Sequence, residues 1–346
     1  MPIRRSKKPW FWPVYISTTA IVVLLILEVT ARVFQLAPPL PENLGVRDPY
    51  LPFKPEPLSA YRVANAEFRV EYRHNSFGFR DVEHTPTKPQ GVFRILALGD
   101  SFTYGLGVSL EDSFLYRLEA ELNSRSGDHP RIEIIKAGIP RYFPETERLL
   151  LEHYGVSYSP DLVLVGFVPN DVLDTHDGID GVKVTDSGYL VTREAQQTSL
   201  LVTTLYINSH VFRILFASTV GRQRRVTLAG HMVDIYRPNG FFEPDWQKVE
   251  QEYEKIVHVA QANGAQAVFV HMPQRGQLSE MQDYPAVRLS KWSLNHDATF
   301  VDTLPALREA QKDRDIYYSK DGHCMPFRPA MSVFSVVKVA VFLRLS

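Results

Sequence analysis

From residue 92 onward, apolar and polar positions alternate in blocks of two different periods. Val92–Leu98 is a short β-rich run, and Phe114–Leu122 spaces its apolar residues as a helix does. Ile132–Lys136 is a second strand-like run. Glu145–Tyr154 reads as a helix, with Leu149, Leu150 and Leu151 on its packing side. Asp161–Val168 (DLVLVGFV) is continuously apolar, as in a strand covered on both faces. Trp246–Ala262 is a charged amphipathic helix, Ala265–Val270 another buried strand, Thr299–Asp302 a short last strand and Val333–Leu345 a last helix. Strands alternating with helices predict an α/β fold, with a mostly parallel sheet covered by helices on both faces and joined by right-handed crossovers.

The alternation is interrupted over about 174–244. Within it, Thr198–Ser218 is apolar but broken by Asn208, Ser209, His210 and Arg213. That is too polar for a membrane span and suits a helix packed over the core or lying on a membrane surface. Arg222, Arg224 and Arg225 follow, and read as a solvated face. No internal repeat is visible.

The first residues follow a different pattern. Arg4, Arg5, Lys7 and Lys8 precede an uncharged run from Pro9 to Leu27. As a helix this run reaches about 28 Å, close to the roughly 30 Å hydrocarbon core of a bilayer. Trp10, Trp12 and Tyr15 stand at one end, where an aromatic belt lies. A cleaved signal peptide has a shorter apolar region and a small-residue cleavage site, which is not evident after Leu27. The run is therefore read as an uncleaved anchor within residues 1–36. The basic residues before it place the N-terminus in the cytoplasm and the rest of the chain outside, periplasmic or extracellular. Glu28 and Arg32 are spaced to pair on one helix face. Residues 37–69 are Pro-rich and read as an extended stalk. Residues 70–346 then form the main domain, with the interruption as an insertion.

Composition narrows the classes. The chain has 346 residues, 45% of them apolar, enough for one large α/β domain with extensions. A net charge of −1 points to no nucleic-acid partner. A single cysteine, Cys324, excludes an intrachain disulfide and a Cys-rich zinc site. His176, His271 and His296 show no metal-ligand spacing.

In open α/β sheets, ligands bind at the carboxyl ends of strands. The first strand runs into Gly99-Asp100-Ser101, the second into Lys136-Ala137-Gly138, the third into Pro169-Asn170-Asp171. Asp321 and His323 lie far downstream in YYSKDGHCMP. A serine hydroxyl is a poor nucleophile until a base takes its proton, and a histidine held by an aspartate is a suitable base. An oxyanion needs preorganised donors, which the N–H groups of Ser101 and Gly138 and the Asn170 amide can supply. Taken singly, each residue has a plainer explanation. Ser101 caps a helix, Gly138 makes a turn, Asn170 starts a helix, and Asp-Gly-His is a surface turn. Together they supply every part of an acyl-transfer machine.

These motifs resemble the SGNH, or GDSL-type, hydrolase superfamily of esterases and lipases. Gly-Asp-Ser at 99–101 is similar to its first block, Gly138 in KAGIPRY to the second, Asn170 in GFVPND to the third, and Asp321 with His323 in KDGH to the last. NSFGFRD at 75–81 is similar to a stretch preceding the first block in membrane-anchored bacterial members. The resemblance covers residue 70 to the C-terminus. It implies a three-layer α/β/α sandwich with a mostly parallel, flavodoxin-like sheet. It also implies Ser101, Asp321 and His323 as catalytic, Ser101, Gly138 and Asn170 as the oxyanion hole, and no cofactor or metal. Three departures stand out. The last block is spaced Asp-x-His rather than Asp-x-x-His, the chain after His323 reads CMPFRPAMSVF where members often continue with an Asn and a Gly-His pair, and Arg141 stands where members commonly carry a small residue.

The sequence is thus read as a membrane-anchored serine esterase acting on an acyl ester, with the lipid bilayer as partner of its first helix. An O-acyltransferase on a cell-surface glycan uses the same residues. A non-catalytic glycan-binding or assembly protein is the third reading. The anchor reading is checked by a reporter fused after Ser346, which is expected to be active only outside the cytoplasm; a cytoplasmic signal there would refute the orientation.

Overall fold

A computed structural model of the chain describes residues 10–34, 36–37, 45–64, 67–124, 130–184, 190–192, 200–216, 218, 231–279, 282–319, 322–326 and 337. The elements begin with α1 (Phe11–Val33), then β1 (Ala60–Ala64), β2 (Arg69–Arg73) and β3 (Val92–Gly99). After them come α2 (Ser101–Tyr104), α3 (Phe114–Asn123), β4 (Arg131–Lys136), α4 (Pro144–His153), β5 (Leu162–Phe167) and α5 (Asn170–Asp177). Two short strands, β6 (Val182–Val184) and β7 (Leu190–Thr192), precede α6 (Leu200–Asn208). The chain closes with α7 (Glu243–Ala262), β8 (Gln266–His271), α8 (Arg275–Ser279), α9 (Tyr284–Leu294), β9 (Thr299–Asp302) and α10 (Leu304–Asp313). The last helix expected at Val333–Leu345 lies outside the described residues, save Val337, which is helical and buried.

The chain divides into two compact units, residues 1–42 with 191–230, and residues 43–190 with 231–346. In the first, α1 is long and apolar enough to cross a membrane. Its aromatic and aliphatic side chains are exposed almost throughout, and Ala31 alone is buried.

The second unit is built on a five-stranded sheet in the order β4-β3-β5-β8-β9, with every described pairing parallel. Counting only these strands, the order is 2-1-3-4-5, the flavodoxin-like arrangement. β3 and β5 adjoin, with Leu96 beside Val163 and Gly99 beside Gly166. The order reverses there, so the crevice at their carboxyl ends is the switch point where such sheets bind ligands.

Burial alternates along the strands as it must when both faces are covered. Ile95, Ala97, Ile132, Leu164 and Val270 face Phe114, Leu115 and Leu118 of α3 and Leu307 of α10. On the other face Phe269 meets Tyr253 of α7, with ring centroids 4.6 Å apart, and Trp292 of α9, at 5.1 Å. Phe167 lies 5.6 Å from Trp246. The result is a three-layer α/β/α sandwich.

The proline-rich stretch before the domain is packed where it is described. Leu51 and Phe53 are buried, and the Tyr142 hydroxyl donates to the Phe53 carbonyl. Their apolar side chains find cover that a solvated stalk does not have.

The strap 75–81 ties this unit together. Asn75 Oδ1 accepts from the N–H groups of Phe77, Gly78 and Phe79, which holds the turn. The buried Arg80 guanidinium donates to the carbonyls of Tyr104, Gly105 and Val108, at the end of α2. Asp81 meets Lys136, the last residue of β4, through its backbone N–H at 2.8 Å and its Nζ at 3.1 Å. Burial pulls the Asp81 carboxyl upward, but the His84 hydrogen bond and the Lys136 charge hold it below its ordinary value.

One carboxyl in the core has no such support. Glu147 on α4 is fully buried, and neither side-chain oxygen has a hydrogen-bond partner among the described residues. Burial, with the nearby Asp100 carboxyl, pushes its pKa well above the carboxylate range. Desolvation does the same to Asp171 on α5, which the Glu147 carboxyl pushes further. A carboxyl whose folded pKa is raised contributes stability at low pH that is lost as pH rises through the folded value. Glu147→Gln should therefore gain in Tm over the parent as pH rises from 4 to 8. Thermal melts across that range check it; a Tm difference independent of pH would show that Glu147 is not held protonated.

Candidate active site

β3 ends at Gly99, whose φ of +150° few side-chain-bearing residues adopt. The turn then starts α2. Asp100 caps it, its Oδ1 accepting from the Phe102 N–H at 2.8 Å. Ser101 is the first helical residue, where backbone N–H groups have no intrahelical acceptor.

What seats this short helix is Thr103. A Cβ placed on Gly99 would lie 2.0 Å from Thr103 Oγ1, and one on Gly166 of β5 only 2.3 Å away. A Cβ on Gly138, in the loop after β4, would lie 2.6 Å from the Tyr104 nitrogen and 2.8 Å from Thr103 Cγ2. Glycines from or just beyond three adjacent strands thus form a cradle for one buried threonine. Its β-branched side chain has little rotameric freedom with which to move aside.

His323 arrives from the far end of the chain. Tyr317 and Cys324 form an antiparallel bridge, and the Tyr318 N–H donates to the His323 carbonyl at 2.9 Å. This turn brings His323 Nε2 to 2.8 Å from Ser101 Oγ. The Phe102 ring covers the imidazole at 5.0 Å between centroids. A hydroxyl and an imidazole nitrogen at this distance can pass a proton between them. Asp321 lies outside the described residues.

Asn170 opens α5, just past β5. Its Nδ2 donates to Asp100 Oδ2 at 3.1 Å and to Asp174 Oδ2 at 3.2 Å. Its Oδ1 accepts from Gln274 Nε2 at 3.2 Å, and Gln274 Oε1 accepts from the Tyr236 hydroxyl at 2.9 Å. Carboxylates on one side and an amide donor on the other fix which end of the Asn170 amide is nitrogen. Burial raises the Asp174 carboxyl to about 6, against the lowering pull of the Arg141 charge and the Asn170 bond. Arg141 itself has a φ of +70°, left-handed backbone that a side-chain-bearing residue adopts at a cost of about 1–2 kcal/mol.

Ser101, His323 and Asn170 therefore converge at the switch point, with Gly138 packed against α2. Sequence reasoning overlooked Thr103, Asp174 and Gln274. Asp174 carries a readable signal, being four residues after Asn170 and so on the same helix face. Gln274 carries none, since it joins the site only through the β8 connection. Burial pushes the Cys324 thiol up to about 12. His176 is bonded to Asp245, His271 to Asp302, and His296 to the Trp292 carbonyl of α9. A groove of about 590 Å³ opens beside the His323 turn, lined by Phe68, Gly107, Glu111 and Tyr318 among others.

No family model matches the chain, and no curated protein matches it closely enough to count. Among solved structures it is similar to a member of the lipolytic protein G-D-S-L family from Veillonella parvula. That match has 14% identity and a TM-score of 0.41, and covers 73% of this chain and 99% of that one. It is also similar to an acetylxylan esterase from Geobacillus stearothermophilus, at 12% identity and a TM-score of 0.41, covering 73% of this chain and 94% of that one.

The cradle can be tested by overpacking. Gly166→Ala should cost about 1–3 kcal/mol, the usual penalty for crowding a filled core. Thr103→Ala in the same chain should recover much of that cost, because the clashing hydroxyl is gone. Urea denaturation of the two single variants and the double variant reads the coupling. Strictly additive losses would mean that Thr103 does not fill the space left by Gly166.

Proposed function

We propose that this protein is a membrane-anchored serine esterase of the SGNH type, cleaving an acyl ester carried by a glycan or a lipid. The observation that carries the proposal is the 2.8 Å approach of His323 Nε2 to Ser101 Oγ at the switch point of the sheet. In this reading His323 takes the Ser101 proton as the oxygen attacks the ester carbonyl. The tetrahedral intermediate is held by the N–H groups of Ser101 and Gly138 and by the Asn170 amide, which turns toward it from the Asp100 and Asp174 carboxylates. His323 then protonates the leaving alcohol, and water, activated by the same imidazole, releases the acyl group. Asp321 is the residue we assign to hold the imidazole ring. α1 is the anchor, with the N-terminus in the cytoplasm and the hydrolase domain outside.

A fluorophosphonate should add covalently to Ser101 and to no other serine, since phosphonylation needs an activated hydroxyl beside an oxyanion pocket. Ser101→Ala should abolish the adduct seen by intact-protein mass spectrometry. His323→Ala should slow ester turnover by about 10²–10⁴, and Asn170→Ala by about 10²–10³, with circular dichroism unchanged. A well-folded parent that takes no probe would overturn the esterase reading in favour of a non-catalytic binding protein. Acylated glycan among the products, formed at the expense of free acid, would make the enzyme a transferase.

A further inference from the structure

In the first unit α6 ends at Asn208, the chain breaks at Ser209, and helix resumes over residues 210–216. The break is capped by α1. The Glu28 carboxylate accepts from Ser209 Oγ at 2.8 Å, the His210 N–H at 2.9 Å and the Val211 N–H at 3.0 Å. Ser209 Oγ in turn accepts from the Phe212 N–H. The first N–H groups of a helix lack intrahelical acceptors, and a negative charge there is favoured by the helix dipole. Arg32, one turn further along α1, donates to Glu28 and to the Asn208 carbonyl. Two residues of α1 thus clasp both sides of the break.

The position of the clasp along α1 matters. Glu28 lies about 26 Å along the helix from Phe11, near the far boundary of a roughly 30 Å hydrocarbon layer. A carboxylate there is costly unless it is paired, and residues 209–211 supply the partners. Beyond the clasp, the helices turn apolar side chains outward. Leu201 is 67% exposed, Leu205 38% and Leu215 58%. His210 and Arg213 are the ionisable groups in 200–216 besides Tyr206, and Arg213 is buried. The exposed leucines belong to the same unit as the bare apolar surface of α1 and are bonded to its end. The nine residues of α6 reach about 14 Å, and 210–216 about 10 Å, so neither helix spans a bilayer.

We propose that residues 200–216 are embedded in the phospholipid leaflet at the carboxyl end of α1, with Leu201, Leu205 and Leu215 among the acyl chains. The proposal rests on reading α1 as a membrane anchor. It makes the insertion a second membrane contact, in the manner of helices that lie in the interface plane.

The test uses the full chain reconstituted in phosphatidylcholine–phosphatidylglycerol vesicles. Leu24→Cys, Leu201→Cys, Leu205→Cys and Leu215→Cys are labelled singly with an environment-sensitive fluorophore, then challenged with brominated lipid. Cys324, a half-buried free thiol, is replaced as Cys324→Ser in every variant, so that the introduced cysteine alone is labelled. Blue-shifted emission and bromine quenching at all four positions are expected. In Glu28→Ala, quenching at Leu215→Cys should be lost while quenching at Leu24→Cys persists. Quenching at 24 without quenching at 201, 205 and 215 would overturn this proposal and leave the anchor standing. Its absence at 24 would overturn both. Blue-shifted but unquenched labels at 201, 205 and 215 that cross-link between copies would mean that a second chain covers this surface, which also overturns it.

Discussion

The close seating of Thr103 among Gly99, Gly138 and Gly166 is the constraint on which the rest of the site depends. Three neighbouring strands must each deliver a position without a side chain to the same point in space. Parallel pairing in register makes that possible, since Gly99 and Gly166 are direct partners across β3 and β5. Once the threonine is seated, the first residue of α2 has one place to stand. The direction of the Ser101 hydroxyl follows from the packing of a methyl and a hydroxyl two residues away.

Polar bonds then hold that arrangement from several sides. Asp100 caps α2 with one carboxylate oxygen and accepts from Asn170 with the other, so one buried acid ties the end of β3 to that of β5. Arg80 closes the other end of α2 by occupying three carbonyls there. Lys136 fixes the end of β4 to the same strap through Asp81. Buried pairs of this kind add little net stability over apolar packing, but leaving one member unpaired is costly, and so the chain has few alternative arrangements here. Glu147 stands outside this pattern. It is a core acid without a hydrogen-bond partner among the described residues, and burial pushes its pKa well above the carboxylate range.

The strands that end at the site were legible in sequence because both their faces are buried. Asp161–Val168 reads as one apolar run and folds as β5 over Leu162–Phe167. The Gly-Asp-Ser stretch was legible as a strand end for the same reason, and Asn170 and His323 by the company they keep. β1 and β2 were passed over although Arg69-Val70-Glu71-Tyr72-Arg73 alternates charged and apolar residues, because each run is five residues long and flanked by no second strand-like run of the main domain. The packing of residues around Phe53 was hidden by prolines, which mark extended backbone whether it is solvated or covered. α9 and α10 passed unremarked; each starts with proline near its first turn and carries polar residues between its buried ones. Thr103 and Gln274 were invisible for a deeper reason. Their importance lies in what approaches them across the sheet, and neighbours in space leave no mark in the local pattern.

Ser101 and His323 are 222 positions apart in the chain. A ribosome adding about 5–20 residues per second needs roughly 10–45 s to travel from one to the other. Throughout that interval the hydroxyl exists without its imidazole, however well β3, α2 and the strap have already folded around it. The same holds for any chain cut short ahead of residue 323. On the reading proposed above, ester cleavage is withheld from every copy that has not yet been made as far as His323.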